Sequence, residues 1–408
     1  MFKLVIKPIK DFYAIVAIAT LMFSAACLTN ENSLTELLVS GIVIVCCSVL
    51  TILKNGLTVQ TIFNRGTVWL LAIYILIEIY GLFFLRMGTF NGDLYLFKGI
   101  RIFFIAAMLY SLKSFDRAFN VLLKGLKVAI LISAVYMFIS GVFSLERVLT
   151  AQIGSRLGSE LTGNVNITSL TFSIMFFPVF FSVIQKKSRN IWGIICCVVA
   201  VAIILFTGSK KGLIAVIWAI LLIIMIEKSV SKYFIVPLLI AGGIYAIQNV
   251  PWLYNIIGSR VQDLFATFGI GEAATAYQST ANRYNFIVIG LKSFLNVPIF
   301  GGGINYFQYI NNVYAYSHCN YVEVLNSFGV LGFAIFYSFP ISVLIKLRKN
   351  CKICRHAPKA EGVFCLMYLA LIGVLDFAMV SFAGSGVTYI PCVLGFLLLK
   401  DKGKICNA

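Results

Sequence analysis

Only two histidines occur in this chain, His318 and His356. His318 lies in the run Tyr316-Ser317-His318-Cys319-Asn320-Tyr321-Val322-Glu323-Val324-Leu325. An imidazole in such a polar stretch can take a proton from a hydroxyl near neutral pH, or it can bond to a neighbouring carbonyl as an ordinary interfacial histidine. His356 follows Cys351-Lys352-Ile353-Cys354-Arg355, a Cys-x-x-Cys beside a histidine. A structural zinc takes four ligands, and the second ligand pair is missing. Free thiols in a reducing compartment fit those cysteines better.

The cations offer a different chemistry. Arg recognises phosphate with a planar, two-pronged fork, and Lys acts as a point charge. Lys210, Lys211, Arg260 and Arg283 therefore suggest an anion site, with nonspecific contact to lipid phosphates as the plainer alternative. Carboxylates suggest less. Glu31, Asp93, Glu146, Glu160, Asp263, Glu272 and Glu323 include no close pair of the kind that holds a divalent cation, so no metal is expected. Glu78 and Asp376 sit inside apolar runs, where an ionisable group is costly and either functional or hydrogen-bonded between helices.

These residues are set in an unusually apolar chain. Of 408 residues 60% are hydrophobic and 12% charged, with mean hydropathy +0.96, which excludes a water-soluble globule. A crossing helix uses about 20 apolar residues. Twelve candidate segments can be read: about 12 to 28, 34 to 53, 67 to 85, 94 to 112, 119 to 143, 166 to 184, 191 to 206, 213 to 226, 233 to 248, 321 to 345, 362 to 383 and 387 to 399. The first resembles a signal peptide after Lys3, Lys7 and Lys10. With so many segments following, it reads as a retained helix. The net charge of +18 comes from the connections. With both ends cytoplasmic, 23 of the 33 Lys and Arg fall inside and ten outside, as the positive-inside rule requires. That origin argues against nucleic acid as a partner. Of the eleven cysteines, most lie in apolar runs, so no disulfide framework is expected.

The expected fold is all-α and polytopic, with about twelve transmembrane helices. Residues 1–248 carry helices one to nine. Residues 249–320 form a large external loop between helices nine and ten, too long for a mere connection, with a helix over Tyr284 to Leu295 ended by Pro298 and Gly301-Gly302-Gly303. Residues 321–408 hold the last three helices and a cytoplasmic tail.

The stretch Ser317 to Leu325 followed by Phe328-Gly329-Val330-Leu331-Gly332-Phe333 resembles the region closing the external loop of the bacterial O-antigen polymerase and ligase superfamily. Arg283 and Pro298-Ile299-Phe300-Gly301-Gly302-Gly303-Ile304-Asn305-Tyr306-Phe307 resemble its preceding block. Arg156 with Gly163-Asn164-Val165-Asn166, and Thr207-Gly208-Ser209-Lys210, resemble two more. Two departures stand out: Lys210 replaces the usual Arg after Ser, and the Asn164-Val165-Asn166 site lacks the common Pro. The resemblance implies a GT-C-like fold in the bacterial cytoplasmic membrane. It also implies glycosyl transfer on the outer face from a glycan on undecaprenyl diphosphate, without cofactor or nucleotide sugar. His318 would be the base, and Arg283 would hold the diphosphate and stabilise its departure. Lys210, Lys211, Arg260, Arg156, Asn166, Asn320 and Glu323 would bind diphosphate or glycan. A polymerase is expected first and a ligase to another acceptor second, with a chain-length regulator and a flippase as possible partners. A flippase or transporter is the rival; it predicts an inverted repeat and broken helices, and the sequence displays neither.

Overall fold

In the computed structural model the described residues are 2–28, scattered positions between 38 and 80, 118–140, 145–153, 156, 165–185, 191–226, 232–267, 270–272, 274, 278–312, 316–353 and 360–377. Every regular element among them is a helix. Three are long and apolar enough to cross a membrane by length and composition: Asn120–Ile139, Val165–Ile184 and Asn320–Ile345. Shorter apolar helices cover Asp11–Cys27, Ile191–Phe206 and Met367–Asp376. The expected segments 94 to 112 and 387 to 399, and most of 34 to 53 and 67 to 85, lie outside the described residues, as do Glu78, Cys354 and His356.

The chain divides into two compact units, the first comprising Met1–Ile42 with Arg117–Thr280 and the second Val43–Asp116 with Ala281–Ala408. The boundary falls in the first turn of the helix Gln278–Phe294. The stretch 249–320 is thus shared between the units.

In the first unit, the helix Phe2–Cys27 packs along Ala118–Ile139, and Val165–Gln185 packs against both. These helices are apolar on most faces, as membrane helices are, so small side chains and hydroxyls provide the specificity of packing. Thr168 donates to the Ala26 carbonyl at 2.9 Å and Thr171 to that of Ala25 at 3.3 Å. The helix Lys210–Ile226 starts three residues before the expected segment 213 to 226. Apolar periodicity misses its first turn because Lys210 and Lys211 occupy it.

The second unit contains the main departure from expectation. The helix Asn320–Ile353 is broken at Gly329, whose φ of 64° and ψ of −167° are not helical. In a straight helix residues 320 and 337 would lie about 25 Å apart. Instead the Asn320 amide donates to the Tyr337 hydroxyl at 2.8 Å, and the Tyr321 and Tyr337 rings stack with centroids 5.1 Å apart. The chain folds back at Gly329 into two arms, 320–328 and 330–353. At a rise of 1.5 Å per residue the first arm is about 14 Å long, half of a bilayer core. The expected single crossing over 321–345 is therefore a helical hairpin with one arm too short to cross.

Backbone groups freed at the break are taken up by the glycine run. Gly302 N–H donates to Asn326 O at 2.9 Å and Gly303 N–H to Ser327 O at 3.0 Å; Val330 N–H donates to Pro298 O at 2.9 Å and Leu331 N–H to Ile299 O at 3.2 Å. These bonds satisfy backbone groups that the break would otherwise leave unmatched. The hairpin is pinned elsewhere too. Trp69 Nε1 donates to Ile335 O at 2.9 Å, Tyr80 donates to Phe300 O, and Tyr321 donates to Gly373 O at 2.8 Å in the helix Ala360–Asp376.

Candidate functional site

The predicted site residues fall into two groups, one in each unit. In the first unit, the helix Ile191–Phe206 ends in a three-residue turn, Thr207-Gly208-Ser209, all buried. Thr207 N–H returns to Ile203 O at 3.0 Å and Gly208 N–H to Leu205 O at 3.0 Å. Lys210 and Lys211 then open the next helix. Their charges add to the partial positive charge of the helix start, which favours anions. Ser209 Oγ lies 3.2 Å from Asn166 Oδ1 and donates to it, which ties this turn to the start of Val165–Gln185.

Gly208 has φ +60°, and a Cβ there would lie 2.7 Å from Ile256 O and 3.2 Å from Arg260 Nε. Arg260 therefore lies directly on the turn that leads into the two lysines. Its placement starts with a π turn, Tyr254–Gly258, which carries one extra residue per turn and re-aims the helix Ser259–Thr267. Ile256 and Ile257 are fully buried with Val148 and Ala151, against Phe206, Trp252 and Leu205. Asn255 donates to Ala151 O at 2.8 Å. Gln262 and Asp263 are bonded to the Glu272 carbonyl and the Ala274 amide. Lys210, Lys211, Arg260 and Asn166 are thus brought to one turn. Arg156 is half-buried.

In the second unit His318 has φ +59°, a left-handed conformation that costs a non-glycine residue energy. Its neighbours Ser317 and Cys319 are buried while His318 is half-buried. The imidazole lies between two rings. Phe286 is nearly parallel to it at 6.2 Å and 19°, and Tyr316 is tilted against it at 4.3 Å and 53°. Rings beside the imidazole steer its chemistry toward the nitrogen edge. Phe286 also packs on Phe307 at 5.9 Å. Arg283 is three residues before Phe286, on the same helical face. Burial raises the Tyr316 phenol above its ordinary value, the Arg283 charge draws it back down, and the Glu323 charge pushes it further up. Phe286, Tyr316 and His318 form one cluster, and the Arg283 charge acts on Tyr316 within it.

Glu323 is 3% exposed and accepts from both the amide and the hydroxyl of Ser317. Asn320 is fully buried. Its amide donates to Tyr337 at 2.8 Å and to Asp376 Oδ2 at 3.3 Å, and the Tyr337 hydroxyl donates to that same oxygen at 3.1 Å. Of the two readings of Asp376, the structure has the hydrogen-bonded one. Sequence reasoning gave no role to Phe286, Tyr337 or Ser317. The aromatic three residues after Arg283 was a readable signal for Phe286. For Tyr337 there was none, because only the fold-back brings it to Asn320.

Residues 195–337 match the family model described as O-antigen ligase. That match supports the O-antigen polymerase and ligase superfamily. It covers about a third of the chain and takes in Lys210, Lys211, Arg260, Arg283, His318, Asn320 and Glu323, leaving Arg156 and Asn166 outside. No curated protein matches the chain. The match, together with the long apolar helices among the described residues, supports an integral membrane protein. The family implies glycosyl-transfer chemistry on a lipid-linked glycan in a membrane.

Proposed function

We propose that this chain is a polysaccharide polymerase that joins repeat units carried on undecaprenyl diphosphate, at the outer face of the bacterial cytoplasmic membrane. The observation that carries the reading is His318, held beside Phe286 and Tyr316, with the Arg283 charge acting on Tyr316. In the reaction, an acceptor sugar hydroxyl gives its proton to His318 as its oxygen attacks the anomeric carbon of the donor glycan. The bond from that carbon to the diphosphate oxygen breaks, and undecaprenyl diphosphate leaves with the electron pair. A single displacement inverts the anomeric configuration.

Negative charge gathers on the departing diphosphate, and cationic side chains are the groups that answer it. Arg283 serves this role beside the base. Lys210, Lys211 and Arg260 bind the diphosphate, and one well-placed group of this kind contributes about 3 kcal/mol to the transition state. Lys210 contributes charge without the bidentate fork of Arg. Arg156 and Asn166 take glycan contacts. Asn320 and Glu323, bonded within the protein, support the site from behind.

The description of the matching family favours a second reading, transfer of a finished glycan to a different acceptor. The transport alternative gains one feature, the break at Gly329, although the freed backbone groups there bond to residues 298–303. One experiment separates the three. Purified protein is given a single synthetic lipid-diphosphate repeat unit with no nucleotide and with a metal chelator. A ladder of repeat-unit multiples that is lost in His318→Ala supports the polymerase. New bonds only with a different acceptor turn the reading to a ligase. No new bond with any acceptor, together with movement of lipid-linked sugar in liposomes, overturns both.

A further inference from the structure

We infer that Glu323 is a positioning residue, acting through Ser317 to hold His318 in its left-handed conformation; the inference rests on His318 being the base. Glu323 stands one turn inside the helix that begins at Asn320, and its side chain reaches back beyond the helix start. One oxygen, Oε2, accepts from the Ser317 amide at 2.8 Å and from the Ser317 hydroxyl at 2.6 Å. Ser317 Oγ in turn accepts from the Cys319 amide at 3.5 Å. His318 is the residue between these two anchors. This resembles a capping box, in which a carboxylate one turn in returns to a backbone amide near the helix start, with the bond moved upstream so that it encloses a residue at positive φ.

The arrangement has a mechanical consequence. Ser317, Cys319 and Glu323 are at most 3% exposed, so the residues on either side of His318 are anchored in the protein interior while His318 itself is half-buried. A histidine at φ +59° would relax to negative φ if its flanks were released. That rotation would carry the ring away from Phe286 and Tyr316. Glu323 therefore governs where the base points, without touching substrate.

The test uses the full-length protein in detergent with a lipid-diphosphate repeat unit, together with diethyl pyrocarbonate labelling of His318. The chain has two histidines, so in a His356→Gln background His318 alone reports. A displaced catalytic group costs on the order of 100-fold in rate. Glu323→Ala is expected to lower kcat by about that factor with the lipid-substrate KM changed less than about threefold, and to change the labelling rate of His318. Glu323→Gln keeps an oxygen for both Ser317 donors and is expected to restore much of the rate. Ser317→Ala removes the hydroxyl bond, keeps the amide bond, and is expected to fall between.

Unchanged labelling and kcat in folded Glu323→Ala overturn the proposal. Equal losses in Glu323→Gln and Glu323→Ala also overturn it, because the negative charge and not the latch would then matter. If Glu323→Ala does not fold, Ser317→Ala decides, and wild-type labelling and kcat there overturn the latch. Should His318→Ala retain full activity, the base reading fails by itself. The labelling rates still judge the latch separately.

Discussion

Replacing Gly329 by alanine tests the hairpin on which the rest depends. A φ of 64° with ψ of −167° belongs to a region essentially reserved for glycine, where another residue costs about 1–3 kcal/mol. The added Cβ would meet Ile299 O at 2.2 Å, Ile299 C at 2.4 Å and Gly301 N at 2.6 Å. All three are backbone atoms, so no side chain can swing aside. The 298–303 loop must retreat, and the four backbone hydrogen bonds that join it to the break are each worth about 1 kcal/mol net. Strain and lost bonds together come to about 6 kcal/mol, a large share of the total stability of a typical domain. Thermal unfolding in detergent micelles, followed by tryptophan fluorescence, should show a large fall in Tm and loss of glycan transfer. Gly242→Ala is the control: it lies in the helix Lys232–Asn249 with no atom within 4 Å of the added Cβ, and should be neutral or stabilise by up to about 1 kcal/mol. A Gly329→Ala protein with wild-type Tm and activity would refute the fold-back.

Gly208→Ala places a Cβ 2.7 Å from Ile256 O at a positive φ. It should cost about 2 kcal/mol and, by displacing Arg260, weaken lipid-diphosphate binding; unchanged affinity would separate Arg260 from the donor site. Tyr337→Phe removes one hydroxyl and should lower stability by about 1 kcal/mol, whereas Asp376→Ala removes the acceptor of the Tyr337 hydroxyl and one acceptor of the Asn320 amide and should cost about 3 kcal/mol. Melting curves that reverse this order would contradict the network. Arg283→Ala should weaken donor use, with Arg283→Lys only a partial rescue, read from kcat/KM for the lipid-linked donor.

Much of the helical framework was legible because the hydrophobic effect writes long apolar runs directly into a membrane sequence. The segments 166 to 184 and 191 to 206 coincide closely with Val165–Gln185 and Ile191–Phe206. The helix over Tyr284 to Leu295 was legible in part, its polar first turn Gln278-Ser279-Thr280 lacking apolar periodicity. The break at Gly329 was not legible. An apolar run reads the same whether it continues or reverses, and the reversal depends on hydrogen bonds from a glycine run some 25 residues upstream. His318 stood out by rarity and Arg283 by charge. What Asn320 and Glu323 do was hidden, since a polar residue near a site looks alike whether it faces substrate or the interior. The contact of Asn320 with Tyr337 exists only through the fold-back, and that of Glu323 with Ser317 only through the left-handed turn at His318.

The short arm also works as a ruler. His318 stands two residues before its start and Gly329 marks its end, so the number of residues between them sets both the height and the heading of the imidazole. One residue inserted in 320–328 would turn everything before it by about 100° and lift it about 1.5 Å, taking His318 away from Phe286 and Asn320 away from Tyr337. A deletion would do the reverse. Substitutions along the arm can be absorbed by repacking, but its length cannot drift. Chains that share this arrangement should keep the interval from histidine to breaking glycine fixed even where the residues within it differ.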